Sequence, residues 1–444
     1  MALLARFLYP PIYSLLILAY APMQIYRIMF SRKGHLSSLL DRLGKLPLSL
    51  STPSEWEGAR LWLHAASVGE VMSIRALVNQ LRERPAKIFI STTTESGQQV
   101  AKDLYGEQAT VFFFPLDWKW VYRRYLRAVS PDLVLLTETE LWPSFITCLA
   151  ESNVPLALIN GRISNRSLGR YQRMKFFFSP LLRTFCKLGM QSQEDKNRIL
   201  QIGAPEENTC STGNLKFDYS PPPNTEAEHL VNTLGLIFRK EKGNLVWVAG
   251  STREGEEELL APVFLALRKR FGGLHWLIAP RHIERSGEVV KILKHHGISS
   301  RLRSQIKDYD NSPPPEAIVL DSIGELAHAF QIADVVFMGG SLVPWGGHNV
   351  IEAAYFSKAI LFGPHMHNFR EVKDIFLNAR SALQVASPKE LENRLFELLG
   401  NPKSRAILGH NARAVLRRNQ GALQQTLDLI DRCFAYPRKM PTSL

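Results

Sequence analysis

Four cysteines in 444 residues, Cys148, Cys186, Cys210 and Cys433, form no CxxC pair and lie far apart in the chain. That spacing argues against a zinc site or a disulfide framework and fits a reducing, cytoplasmic setting. The chain also lacks a Walker GxxxxGK[ST] and a Rossmann GxGxxG, which takes weight from the NTPase and dehydrogenase readings. No RNA-module signature or C2H2 spacing occurs, and the basic residues are dispersed, which lowers nucleic acid as a partner. What is present is a basic excess: 54 Lys and Arg against 41 Asp and Glu, a formal charge of +13. By itself this implies an anionic partner, whether nucleic acid, a membrane surface or a phosphorylated substrate. Apolar content of 45% and charged content of 21% are globular values, and the length predicts two or three domains.

One stretch is without charge: residues 7–26, FLYPPIYSLLILAYAPMQIY. It is about as long as a helix that crosses a bilayer core. Pro10, Pro11 and Pro22 weaken it near its ends, so a spanning helix and a monotopic insertion both stay open, with a cleaved signal peptide as the bland alternative. Arg27, Arg32, Lys33, Arg42 and Lys45 follow, which by the positive-inside rule puts the bulk of the chain in the cytoplasm beside an anionic leaflet. We therefore expect residues 1–30 to be a membrane anchor.

Short apolar runs then alternate with helical patterns: Leu61-Trp62-Leu63-His64, Ile88-Phe89-Ile90, Val111-Phe112-Phe113-Phe114, Leu133-Val134-Leu135-Leu136 and Leu156-Ala157-Leu158-Ile159. This is the pattern of a parallel sheet covered on both faces. Ser220-Pro221-Pro222-Pro223 breaks it, and it resumes with Leu245-Val246-Trp247-Val248, Trp276-Leu277-Ile278-Ala279, Ile318-Val319-Leu320, Val335-Val336-Phe337-Met338 and Ile360-Leu361-Phe362. The expectation is an α/β chain of two doubly wound domains facing a cleft, 31–219 and 220–444, the second carrying the terminal helices. Ligands should sit at the carboxyl ends of the strands.

At those ends lie the polar motifs. The loop Gly339-Gly340-Ser341 through Gly346-Gly347-His348-Asn349 joins a strand to a helix, where backbone N–H groups and the helix dipole favour phosphate; Asn349-x-x-Glu352 also fits a simple capping box. Glu70 in HAASVGEV is either a general base or the Glu of a box opened by Ser67. Glu138 and Glu140 lie two apart and point the same way if the strand continues; such a pair needs a cation, and Arg162 and Lys216 are candidates. Ser251, Arg281 and the Ser322-Ile323-Gly324-Glu325 turn complete a run of strand ends able to receive an anion.

Taken together, HAASVGEV, LTETELWP, NGRISNRS, TGNLKFD, GSTREGEEE, APRHIER, DSIGELA, MGGSLVPWGGHNVIEAA and FGPHMHNF resemble the 3-deoxy-D-manno-octulosonic acid (Kdo) transferases of lipopolysaccharide assembly, in order and over nearly the whole chain. The resemblance implies a GT-B glycosyltransferase that moves Kdo from CMP-Kdo to the lipid A precursor, lipid IVA, at the cytoplasmic face of the inner membrane. It implies Glu70 as catalytic base, Glu138 and Lys216 as transition-state stabilisers, and CMP contacts at Pro280, Arg281, Ile323, Gly324, Glu325, Asn349, Val350, Ile351 and Glu352. Ser251, Gly340 and Ser341 join them as donor-binding candidates, and Arg162 and Glu140 are candidates for the acceptor. No cofactor and no metal is expected: Asp308-Tyr309-Asp310, the one Asp-x-Asp triplet, runs into a proline loop and reads as surface. The competing readings are a GT-B enzyme using a UDP-sugar and a non-catalytic membrane-tethered scaffold.

Overall fold

The computed structural model describes residues 9–19, 35–47, 50, 58–219, 221, 225–306 and 313–434. The chain divides into two compact units, one of Met1–Asp218 with Asn419–Leu444 and one of Tyr219–Arg418.

The first unit holds strands β1 (Ala59–His64), β2 (Ala86–Thr92), β3 (Thr110–Phe113), β4 (Leu133–Thr137), β5 (Leu156–Gly161), β6 (Lys187–Met190) and β7 (Thr209–Ser211). All are parallel, in the order β3-β2-β1-β4-β5-β6-β7. Their runs of Leu, Ile, Val and Phe are continuous because both faces are buried, and side chains alternate between the faces. Trp62 packs on Phe112 and Phe145, with ring centroids 5.3 and 5.1 Å apart, in one core. Its neighbours Leu61 and Leu63 enter the other core with Leu133, Leu135, Ala157 and Ile159.

The second unit repeats the plan with β8 (Leu245–Thr252), β9 (Leu274–Pro280), β10 (Ser300–Leu302), β11 (Ala317–Val319), β12 (Val335–Met338), β13 (Ala359–Phe362) and β14 (Leu383–Gln384), ordered β10-β11-β9-β8-β12-β13-β14. Trp247 and Trp276 stack at 4.9 Å in its core. In each sheet the strand order reverses once, between β1 and β4 and between β8 and β12. Those reversals are the positions at which a parallel sheet leaves a crevice beyond its carboxyl ends.

One expectation is corrected. The last helix, Ala422–Phe434, belongs to the first unit and not to the second: Leu427, Leu429, Ile430 and Cys433 are buried in the core of Leu61 and Leu63. Its start is tied by Asp218, whose carboxylate accepts the Gly421 and Leu423 N–H groups, each at 2.6 Å. Sequence position could not show this, because the apolar stripe of that helix fits any open sheet face. Of the uncharged run, residues 9–19 are helical, while 7–8 and 20–26 lie outside the described residues, as do Asp308-Tyr309-Asp310 and the basic residues Arg27, Arg32 and Lys33. Among the described residues no helix is long and apolar enough to cross a membrane.

Ile430→Ala should cost about 2–5 kcal/mol, because it opens a cavity in the first core. The same change at Ile407, which is 63% exposed, should stay within about 0.5 kcal/mol. Denaturant unfolding of the two variants checks this, and equal small losses would show that the last helix is not part of the first core.

Candidate active site

In the first unit β1 runs out at His64 and the chain turns through Ala65, Ala66 and Ser67 into the helix Val68–Ser73. Ser67 makes no side-chain cap; its hydroxyl donates instead to Glu70 Oε1 at 2.8 Å, and the Ala66 N–H donates to Glu70 Oε2 at 2.8 Å. The reciprocal box is therefore not formed, and the carboxylate is folded back against the strand end. Burial, followed by the charge of Glu138, pushes the Glu70 carboxyl up from 4.5 to about 7, against the lowering by these two donors; Glu140 adds a further push upward. A carboxyl that loses its proton near neutrality is suited to accept one from a hydroxyl.

The two carboxylates after β4 do not continue the strand. Glu138 has φ 56°, in the left-handed region, so the alternation expected for Glu138 and Glu140 ends at Thr137. Glu138 pairs with Lys216 Nζ at 3.4 Å, both side chains half-buried. Glu140 accepts the Trp142 indole N–H at 2.8 Å, and burial holds its carboxyl above the ordinary value. Arg162 lies at the end of β5 with its backbone joined to the Thr139 hydroxyl, between the two acids in sequence.

Lys216 is set in place by buried amides. Asn160 Oδ1 accepts the Leu215 N–H at 3.0 Å, and its carbonyl accepts Gln191 Nε2 at 3.0 Å. Gln191 Oε1 accepts Asn214 Nδ2, and Asn214 Oδ1 accepts the Lys216 N–H, each at 3.0 Å. The network makes a strand end dictate where the lysine starts.

In the second unit the glycine loop after β12 departs from expectation. The N–H groups of Gly340, Ser341 and Leu342 donate to Glu256 at 2.5, 2.9 and 2.9 Å, and the Arg253 N–H joins them at 3.0 Å. The anion cradled by Gly340 and Ser341 is thus the protein's own carboxylate, fully buried, at the first turn of the helix Glu256–Arg270 where negative charge is favoured. Ser341 is buried too, its hydroxyl donating to the Met338 carbonyl. Those two residues are removed from the donor-binding set. Gly339 serves close approach: a Cβ there would stand 2.6 Å from Thr252 Cα.

The helix expected from Asn349 starts at Ile351 and ends at Tyr355; Asn349 Oδ1 accepts the Ile351 N–H at 3.1 Å, while Val350 is buried and Glu352 lies in the first turn. At the end of β8, Ser251 has φ 57°. Arg281 follows Pro280 at the end of β9, exposed, its N–H donating to Thr252 O at 2.9 Å. Ile323 is 83% exposed beside Gly324 at φ 86°, and Glu325 takes the Ser322 hydroxyl and an ion pair from Arg303 at 3.6 Å.

Sequence reasoning gave no role to Glu256, Arg253, His282 or His348. The signal for the first was the acid run directly after Gly255, at a helix start beside a strand end.

The architecture is that of a GT-B glycosyltransferase. A glycosyltransferase from Rickettsia africae aligns over 86% of this chain and 100% of its own at TM-score 0.53 and 13% identity. A UDP-GlcNAc 2-epimerase from Neisseria meningitidis aligns over 84% and 99% at TM-score 0.53 and 12% identity. At such identity the likeness is one of fold alone. Sequence carries the rest: the family described as 3-deoxy-D-manno-octulosonic-acid transferase (kdotransferase) matches residues 37–219, and the 3-deoxy-D-manno-octulosonic acid transferase of Haemophilus influenzae is 34% identical over 376 residues, 83% of this chain and 86% of that relative. The chain belongs to the Kdo transferase family of glycosyltransferases.

Turnover should rise with pH through about 7 as Glu70 ionises, and Glu70→Gln should lower it by about 10²-fold or more. The raised carboxyl also marks stability. Between about 4.5 and 7 the folded state keeps a proton that the unfolded state has lost, so stability falls as pH rises through that window. The Gln variant should lack this slope, seen by melting both proteins at about pH 5 and about pH 8. Near-normal turnover in the variant would reduce Glu70 to a brace of the turn.

Proposed function

We propose that this enzyme transfers Kdo from CMP-Kdo to a hydroxyl of the lipid A precursor, lipid IVA, in lipopolysaccharide core assembly. The observation that carries the reading is Glu70, a buried carboxyl at the reversal point of the first sheet whose proton affinity is brought to near neutrality. Glu70 takes the proton of the attacking acceptor hydroxyl, and Lys216 with Glu138 steadies the charge that develops beside it. Glu140 and Arg162, on the two neighbouring strand ends, are the acceptor contacts.

The donor is held by the second unit. Arg281 takes the phosphate, the exposed Ile323 at the Gly324 turn offers an apolar surface for a base, and Pro280, Glu325, Ser251 and the segment Asn349, Val350, Ile351 and Glu352 complete the contacts.

The lipid acceptor requires attachment at a membrane, and we place the enzyme at the cytoplasmic face of the inner membrane, held by residues 1–30. The helical residues 9–19 support a monotopic attachment. One face is docked on the first unit, with the Asp117 N–H donating to the Tyr13 hydroxyl at 3.2 Å and the Trp118 indole to Ser14 Oγ at 3.0 Å. The other exposes Ile12, Leu15, Leu16 and Leu18, each more than half open to solvent. The excess of 54 basic over 41 acidic residues suits an anionic leaflet.

Incubation of the purified protein with lipid IVA and CMP-Kdo should yield products heavier by whole Kdo units, by mass spectrometry; no mass gain, or use of a UDP-sugar in its place, sinks the proposal. Leu15→Glu with Leu16→Glu should leave melting unchanged while reducing binding to anionic vesicles by about tenfold or more, since burying those carboxylates in the interface is unfavourable. Vesicle binding that is unaffected would show that residues 9–19 are not the attachment.

A further inference from the structure

At the reversal point of the second sheet sits the guanidinium of Arg253, which among the described residues forms no direct ion pair with a carboxylate, Glu256 acting on it only at longer range. Arg253 Nε donates to His348 Nε2 at 3.3 Å, its Nη1 donates to His282 Nε2 at 2.7 Å, and its Cζ lies over the Trp345 ring, 5.1 Å from the centroid. Among the described residues neither Arg253 nor Arg281 forms an ion pair with an acid, and the nearby Glu256 is filled by four backbone N–H groups. Both imidazoles face Arg253 with Nε2 as acceptor, where a carboxylate could have stood. Burial and the charges of Arg281 and Arg253 push His348 down to about 3, which keeps it neutral. Acceptors without charge aim a guanidinium without cancelling it. An acid in their place would have closed the site to an outside anion.

The donor's chemistry matches two adjacent cations. In a CMP-linked octulosonic acid the phosphate and the sugar's carboxylate are bonded to the same carbon, so two negative charges arrive together. The Gly340, Ser341 and Leu342 N–H groups of the glycine loop can take neither, being held by Glu256. We propose that Arg253, braced by His282, His348 and Trp345, binds the carboxylate of the donor's sugar acid, while Arg281 takes the phosphate. This rests on CMP-Kdo being the donor. The planar fork of Arg253 is the group suited to a carboxylate, and the guanidiniums of Arg253 and Arg281, which repel each other, both gain from a doubly charged donor.

The test is steady-state kinetics with CMP-Kdo beside calorimetric binding of CMP, which keeps the phosphate and lacks the carboxylate. Arg253→Ala should raise the KM for CMP-Kdo by about tenfold or more and leave CMP affinity within about threefold of wild type; Arg253→Lys, with the charge but not the fork, should recover part of the loss. If CMP affinity falls as far as donor use, Arg253 holds the phosphate and the assignment is overturned; an unchanged KM overturns it as well. Should the Ala variant fold poorly, Arg253→Gln keeps a donor toward the imidazoles and is read in the same way. A wild-type protein that binds neither CMP nor CMP-Kdo overturns the donor reading, and this assignment with it, before any variant is made.

Discussion

A parallel sheet whose strand order reverses cannot be covered at the reversal. Right-handed crossovers carry the chain one way from β1 to β2 and the other way to β4, so the connections leave on opposite faces and the carboxyl ends of β1 and β4 stay open between them. The same holds for β8 and β12. Glu70 follows β1, Glu138 follows β4, Arg253 follows β8 and the glycine loop follows β12. The fold therefore decides where polar groups can be left incompletely satisfied. The sequence at the four ends decides which charge they carry.

The two openings carry opposite charge. The first gathers Glu70, Glu138 and Glu140, so the charge of Glu138 raises the proton affinity of Glu70 and of Glu140, and Lys216 pairs with Glu138 without filling the site. The second gathers Arg253, Arg281, His282 and His348. Three N–H groups of the glycine loop that could serve a ligand, those of Gly340, Ser341 and Leu342, are taken by Glu256, which leaves more of the recognition of anions to side chains. Such a division suits a reaction that must withdraw a proton from one substrate and receive negative charge from the other.

Much of this was legible in the sequence because buried parallel strands are continuous apolar runs. Each of the ten runs read there falls on a strand, while β6, β7, β10 and β14 escaped. They are short, from two to four residues, and β10 and β14 are only partly buried, so Ser300-Arg301-Leu302 and Leu383-Gln384 show no hydrophobic pattern. Glu70 and Glu138 stood out as candidates because they sit next to strand ends. The helix Ala422–Phe434 was misplaced because pattern reports that a face is apolar and not which sheet receives it. The role of Gly340 and Ser341 was misread for a related reason: glycines report that a backbone comes close to something, and here that is Thr252 beside Gly339 and the carboxylate of Glu256.

Glu70 shows how the local and the global arguments meet. The Ala66 N–H and the Ser67 hydroxyl favour its ionised form, as at any helix start, and alone they would hold it acidic. Burial at the sheet's opening and the charge of Glu138 oppose them and win. The donors nonetheless do something burial cannot: they fix both oxygens, so one geometry serves the protonated and ionised states. A base must change charge without moving far, and a carboxyl braced by a strand end on one oxygen and a hydroxyl on the other meets that condition. The residues of the expected capping box are thus those proposed for proton transfer, and the contacts that hold Glu70 at the helix start also orient its carboxyl.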